Sequence, residues 1–330
     1  MIESLEHLIF DPGLSFQERA TTVFQFQMRN NPVYQRFAET FGLTVSSVPE
    51  MGQIPLLPVS AFREARILST EKEPRLRFSS SGTTAMKRSI HEVVNPDLYR
   101  RSILDGFRLF YPENAVIHAW LPGYSDNPES SLIWMLRILT EKDTTGASRF
   151  LVDSDLKQGQ PIIDTENTDR PHILFGAAFG LLDLIDSDNI PRLFGGTTII
   201  ETGGMKTHRR EMSRKVLHDR LAGGFSIPPD RVHSEYGMCE LLSQAYSDGT
   251  GWFSTPPWMA VSIRRPDNPI KCCKPGQEGL IGVVDLANLY SCSFLLTGDR
   301  GVSDTEGRFS VLGRWNLQDL RGCNFLIDQE

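Results

Sequence analysis

The first seventy residues carry apolar side chains at helical spacing. Val23, Phe26, Met28, Tyr34, Phe37 and Phe41 stud the stretch Phe16–Phe41. Pro32 divides it into two helices, because proline has no amide proton and clashes with the preceding turn. Ser15 followed by Glu18 is a capping box that opens the first helix. The segment IPLLPVSAFREARIL holds two prolines and reads as an extended connector. Residues 1–70 are therefore expected to form a helical cap on a larger core at 71–330.

From Leu76 the pattern changes to short apolar runs alternating with amphipathic stretches. Ala115–Leu121, Thr197–Glu201, Leu280–Leu286 and Ser293–Thr297 read as strands, and Ser131–Glu141 reads as a helix. His172–Ile185 starts as a strand and runs into a helix, and Arg209–Leu221 reads as a basic amphipathic helix. Strands alternating with helices predict an α/β fold. Pro228–Pro229 and Pro256–Pro257 mark loops. His118 and His172 open onto apolar runs and read as core or strand-end histidines.

Composition narrows the class of protein. The 330 residues are 40% hydrophobic and 23% charged, which is ordinary for a packed globular chain. A net charge of -7 lacks the basic excess of a nucleic-acid binder, so no nucleic-acid partner is expected. No apolar run approaches the ~20 residues of a membrane span. Glu3, Glu6 and Asp11 stand where a secretory leader would need basic and then apolar residues. The five cysteines, Cys239, Cys272, Cys273, Cys292 and Cys323, show no CxxC spacing. An odd set without pairing fits a reducing cytoplasm and disfavours a disulfide or zinc framework.

Four short motifs carry chemistry. FSSSGTTAMKRS at Phe78–Ser89 places small residues from Ser79 to Thr84 ahead of Lys87. Hydroxyls, backbone N–H groups and a flexible Gly82 make a nest for a polyanion, and the physical fit is to a triphosphate. It lacks the Walker arrangement, in which lysine directly follows the second glycine. SEYGMCE at Ser234–Glu240 joins an aromatic face suited to a purine with a carboxylate suited to magnesium. LTGDRG at Leu296–Gly301 sets Asp299 at a strand end, where a carboxylate can accept from both hydroxyls of a ribose. Arg314, after Gly313, can reach ribose or phosphate. Taken singly, each motif also reads as a turn or, for Tyr236, as a core aromatic.

Taken in order, these motifs resemble the series of the adenylate-forming superfamily, which includes acyl-CoA ligases, peptide-synthetase adenylation domains and luciferases. The closer resemblance is to LuxE-type acyl-protein synthetases. It rests on SSGTTAMK at 80–87, LPGYSDNPESSLIWM at 121–135, TGGMK at 202–206, EYGMCE at 235–240 and GRWNLQDLRGC at 313–323, and runs from about Ile54 onward.

The resemblance implies an adenylate-forming core of mixed sheets flanked by helices, with an N-terminal helical cap and no full C-terminal domain. It implies ATP and Mg²⁺, a carboxylic and by analogy fatty acid, and transfer of the acyl group to a thiol. Ser80, Ser81, Gly82, Thr83, Thr84 and Lys87 would cradle the phosphates. Tyr236 would lie by adenine, Glu240 would help place magnesium, Asp299 would hold the ribose and Arg314 would contact ribose or phosphate. Phe175, Gly176, Gly203 and Gly204 would line the acyl and adenine pockets. Cys323 matches the cysteine that takes the acyl group as a thioester. Other outcomes of the same resemblance are ligation to coenzyme A or an acyl carrier, and a nucleotide-binding scaffold in a biosynthetic complex. The basic stretch Lys206–Arg220 reads first as a solvated helix face, and alternatively as a docking face for an acidic acyl-carrier or acceptor protein.

Three departures bear on these expectations. Ala85 stands where the family's phosphate loop ends in glycine, Cys239 stands where many members have threonine, and the chain stops soon after Arg314. The last implies that the small C-terminal domain with its catalytic lysine is absent or reduced.

Overall fold

The computed structural model describes residues 2–80, 87–122, 127–152, 155–156, 169–187, 190–193, 196–203 and 212–315. The chain divides into two compact units. The first comprises Met1–Ser102, Cys239–Ser243 and Ser254–Glu330, and the second comprises Ile103–Met238 and Gln244–Phe253.

In the first unit, α1 (Ile2–Ile9), α2 (Phe16–Asn30) and α3 (Pro32–Glu39) open the chain. The capping box is formed: the Glu18 amide donates to Ser15 Oγ and the Ser15 amide to Glu18 Oε2 at 2.8 Å. Asn31 closes α2 and caps α3, its Oδ1 accepting from the Tyr34 amide at 2.9 Å, with Pro32 at the first helical position. Val23, Phe24, Met28 and Tyr34 are buried. Phe41, expected on the same apolar face, lies beyond the end of α3 and is 42% exposed, packing edge-on against Phe37.

These helices cover an antiparallel sheet of order β12-β11-β13-β14-β15, formed by β11 (Met259–Arg265), β12 (Asn268–Cys272), β13 (Gly279–Asp285), β14 (Phe294–Ser303) and β15 (Phe309–Arg314). Tyr34 stacks on Phe294 of β14 at 5.4 Å, and Phe24 meets the same ring edge-on. The buried Gln27 amide donates to the carbonyls of Asn288 and Leu289 and accepts from the Ser293 amide, so the helices pin the connection between β13 and β14. The proline-rich connector is more ordered than its composition implies. Its Leu57–Pro58 (β1) runs parallel to β14, and Ala61–Glu64 forms the short α4. A separate hairpin pairs β2 (Leu76–Ser79) with β3 (Ile90–Val93).

The second unit begins within α5 (Pro96–Phe107). It holds β4 (Val116–Trp120), α6 (Ser131–Glu141), β5 (Arg149–Phe150), β6 (His172–Ala177), α7 (Ala178–Ile185), β7 (Thr198–Thr202), α8 (Arg214–Phe225), β8 (Val232–Tyr236) and β9 (Ala245–Ser247). The chain leaves this unit at the two-residue β10 (Phe253–Ser254). Five strands, β5-β4-β6-β7-β8, are parallel, and β9 is added antiparallel to β8. One sheet face is buried by α7 and α8 through Leu174, Ile199, Val232, Leu181, Leu217 and Leu221. Near-continuous burial along β4 and β6 is what strands covered on both faces require. His118 and His172 are buried and stacked 5.7 Å apart.

Two elements differ from expectation. The basic helix starts at Arg214, where Ser213 Oγ accepts from the Val216 amide, and it continues to Phe225. The expected start at Arg209 lies outside the described residues. The strand expected at Ser293–Thr297 runs on to Ser303, so TGD is internal to a strand rather than at its end. Its continuation is sustained by pairing with β15, which the sequence pattern alone does not reveal.

Candidate active site

In parallel α/β sheets, ligands bind beyond the carboxyl ends of the strands. In the second unit those ends carry Gly176, Gly203 and Tyr236, at the ends of β6, β7 and β8. Phe175 is fully buried in β6, opposite Ala119 and Ile200. A Cβ at Gly176 would lie 2.8 Å from the Trp120 carbonyl oxygen and 2.9 Å from the Leu181 side chain, so close packing demands glycine there. Gly203 takes φ +78°, a left-handed conformation that turns the chain out of β7. Gly204 lies outside the described residues.

Tyr236 ends β8 with its ring edge-on to Phe253 at 6.0 Å. The Arg214 guanidinium sits over Phe253, 4.7 Å from the ring centre. Arg214 Nε is also 3.7 Å from Glu201 Oε1. Ser234 donates to the same oxygen at 2.5 Å, and His218 Nε2 lies 3.0 Å from Ser234 Oγ. Thus a buried charged network underlies the aromatic pair. On the neighbouring register position Glu235 accepts from the Thr202 hydroxyl. Burial, reinforced by the Glu201 charge, pushes its pKa up to about 7 despite that hydrogen bond.

The first unit gathers the other motifs. The β2–β3 hairpin is closed at its loop end by the Ser80 amide donating to the Ser89 carbonyl and the Ser89 amide donating to Ser80 Oγ, both at 3.0 Å. Ser81, Gly82, Thr83 and Thr84 lie outside the described residues. Lys87 is exposed, its ammonium 3.5 Å from the Glu64 carboxylate. Glu240 is 7% exposed. Burial raises its pKa, while a hydrogen bond from the Ser89 hydroxyl and the charges of Arg63 and Arg314 work in the opposite direction. Asp299 on β14 faces Arg314 on β15 across a cross-strand pair, with Arg314 Nε 3.6 Å from Asp299 Oδ1. A register shift between Arg300 and Gly301 bends the strand beside them, and a Cβ at Gly301 would press on the Ser310 carbonyl oxygen.

Ser89 and Arg314, from two other motifs, thus both bear on the ionisation of the buried Glu240 carboxylate. Magnesium is a hard cation that takes oxygen ligands and commonly uses one or two carboxylates plus substrate phosphates. Among the described residues, no group of three or more His, Cys, Asp or Glu side chains could hold a metal alone. A single buried carboxylate such as Glu240 fits a metal shared with phosphates.

A family model for acyl-protein synthetases of the LuxE type matches residues 147–330, more than half of the chain. The chain belongs to the LuxE acyl-protein synthetase family. No curated protein matches it. Among solved structures it is similar to 2-hydroxyisobutyryl-CoA ligase in the postadenylation state in complex with 2-HIB-AMP. That likeness has a TM-score of 0.65 at 15% identity and covers 91% of this chain and 67% of that one. An open conformation of the same ligase, in complex with 2-HIB-AMP and CoA, gives 0.62 at 14% identity, with coverage of 91% and 69%. At these identities the likeness establishes the α/β core fold.

Within this LuxE-family chain, Cys323 and the stretch Lys206–Arg210 lie outside the described residues. No helix among the described residues is long and apolar enough to cross a membrane. Sequence reasoning missed Arg63, which acts on Glu240 from α4, and the Glu201–Ser234–His218–Arg214 network. The one available signal for the latter was a glutamate closing the β-branched run TTIIE.

Proposed function

We propose that this protein activates a carboxylic acid, of the fatty class by its family, with ATP and passes the acyl group to a thiol. The observation that carries the reading is the buried Glu240 carboxylate and the Asp299–Arg314 cross-strand pair, held in one unit of a member of the LuxE family. A carboxylate oxygen of the acid attacks the α-phosphorus of ATP, the bond to the bridging oxygen breaks, and pyrophosphate leaves. The mixed anhydride is then open to thiolate attack at its carbonyl carbon, which releases AMP.

The protein's part in the first step is alignment and charge neutralisation. Ser80, Ser81, Gly82, Thr83, Thr84 and Lys87 would hold the phosphates. Tyr236 would flank adenine, its ring edge-on to Phe253, over which Arg214 sits. Asp299 would accept from the ribose hydroxyls, and Arg314 would contact ribose or phosphate. Phe175, Gly176, Gly203 and Gly204 would border the acyl and adenine pockets. Glu240 would hold Mg²⁺, which when bound neutralises the charge developing on the phosphates.

Cys323 is the acceptor in this reading, since thiolate is a strong nucleophile near neutral pH. An acyl-carrier or acceptor protein would receive the group afterwards. The test is ATP–pyrophosphate exchange over a panel of fatty, aryl and hydroxy acids. Acid-dependent exchange is expected, strongest with a fatty acid. Tight ATP binding without exchange for any acid would replace this reading with a nucleotide-binding scaffold. For the acceptor, a hydroxylamine-sensitive acyl adduct is expected in the native protein and not in Cys323→Ser. A free acyl-CoA product with no adduct would point to coenzyme A instead.

A further inference from the structure

The chain leaves the second unit at Met238, contributes Cys239–Ser243 to the first unit and returns at Gln244. Within the first unit those five residues are held by a polar cluster that no motif announces. Asn288 Nδ2 donates to the Glu240 carbonyl oxygen at 2.7 Å. Asp285, at the end of β13, accepts from the Leu242 amide at 2.7 Å through one oxygen. Its other oxygen accepts from Ser243 Oγ at 2.6 Å and from the Ala287 amide at 3.2 Å. His91 Nδ1 lies 2.8 Å from the Cys239 carbonyl oxygen and Nε2 lies 3.0 Å from Asn288 Oδ1. A neutral ring has one N–H for those two oxygens, so one of the two contacts carries no hydrogen bond. Asp285, Asn288 and His91 are all fully buried.

We propose that Asp285 and Asn288 are positioning residues for adenylation, forming a preorganised clamp that fixes the Glu240 carboxylate where the metal is to be held. The proposal rests on the reading of Glu240 given above. Asn288 fixes the Glu240 main chain and Asp285 fixes the two residues that follow Leu241. Glu240 itself is buried, so its main chain and the residues that follow it are held in place. Outer-shell partners of this kind tune metal affinity by about 10–100-fold when removed. The clamp is anchored in turn: the β13–β14 connection that carries Asn288 is bound by Gln27, and Asp285 is linked through Ser243 to Ser102 and Trp258.

The test uses Asn288→Ala in the full chain, with Asp285→Asn as a second variant that keeps the volume but turns a donor toward either the Leu242 or the Ala287 amide. Mn²⁺ affinity is measured by the free-ion electron paramagnetic resonance signal in the presence of α,β-methylene ATP, which cannot be adenylated. Mg²⁺ dependence of pyrophosphate exchange is measured in parallel. Both variants are expected to weaken Mn²⁺ binding about tenfold and to shift half-maximal Mg²⁺ activation upward, with KM for the acid unchanged. Ser102→Ala, which cuts the same cluster away from Glu240, is expected to lower the melting temperature without moving metal affinity. Folded variants with native Mn²⁺ affinity, or an equal shift in Ser102→Ala, would overturn the clamp. A native protein with no exchange and no metal-dependent nucleotide binding would instead remove the functional reading, and the clamp with it.

Discussion

Two regions of the first unit carry motif residues of equal standing in the sequence and opposite physical character. Glu240 is 7% exposed, its backbone gripped by Asn288 and its following residues by Asp285. Arg314 has a side chain 73% exposed, meeting Asp299 at 3.6 Å on the rim of the sheet. A buried carboxylate on a main chain held by hydrogen bonds is costly to disturb. An exposed ion pair holds its partners loosely and contributes little to stability. In the function proposed, the fold would fix the end that stabilises charge and leave adaptable the end that admits and releases a nucleotide.

The largest effect that sharpens this contrast is on turnover. Glu240→Gln keeps the shape and removes the charge, and is expected to lower pyrophosphate exchange by about 10²–10³-fold, the range for loss of one preorganised electrostatic group. Arg314→Ala is expected to cost about tenfold, mostly in KM for ATP. Steady-state exchange at saturating acid measures both. Equal losses in kcat for the two variants would break the comparison.

Stability is the next largest. Asp285→Ala leaves the Leu242 amide, Ser243 Oγ and the Ala287 amide short of an acceptor in a buried site. Orphaned buried donors of this kind predict a loss of about 2–4 kcal/mol. Lys87→Ala removes only an exposed contact to Glu64 and is expected to leave the unfolding curve unchanged within error. Urea denaturation of the two proteins compares them directly. A native-like midpoint for Asp285→Ala would show that the buried end is not the better determined one.

How much of this was legible in the sequence follows the same division. The capping box at Ser15, the helix break at Pro32, the strand-to-helix run from His172 and the residues of YGxxE, TGD and GR could all be read locally, since each depends on neighbours a few positions away. What holds Glu240 could not. Asn288 is 48 residues from its partner and Asp285 is 43 from Leu242, and each is an ordinary polar residue in its own stretch. Asp299 shows the intermediate case. Its motif was visible, but its place inside a ten-residue strand depends on pairing with β15, so the pattern pointed to a strand end instead. Phe41 shows the converse, an apolar residue at helical spacing that α3 never reaches.

Asp299→Asn tests the adaptable end at smaller amplitude. The neutral amide keeps one acceptor for ribose and loses the charge facing Arg314. KM for ATP is expected to rise severalfold with kcat nearly unchanged, a pattern that marks uniform binding. A 2′,3′-dideoxy nucleotide should be bound equally well by the native and variant proteins, because the hydroxyls that Asp299 would hold are missing. Discrimination against the variant that persists with the dideoxy nucleotide would place Asp299 elsewhere than on the ribose.

The smallest effect lies in the second unit, where Glu235 offers a buried carboxylate without a clamp of comparable strength. Its carboxylate accepts from the Thr202 hydroxyl, and burial with the nearby Glu201 lifts its pKa from the ordinary 4.5 to about 7. The folded state therefore binds the proton more tightly than the unfolded chain. Below pH 4.5 both states are protonated and the full contribution to stability is present. As pH rises from 4.5 through 7 the unfolded chain has already ionised, the folded group resists, and stability is lost. Glu235→Gln cannot ionise, so its melting temperature should match that of the native protein near pH 5 and exceed it by a few degrees at pH 8. Scanning calorimetry at the two pH values measures the gap. A gap that stays constant between them would mean that Glu235 is held ionised in the fold, and that the network of Glu201, Ser234, His218 and Arg214 grips this end as firmly as Asn288 and Asp285 grip Glu240.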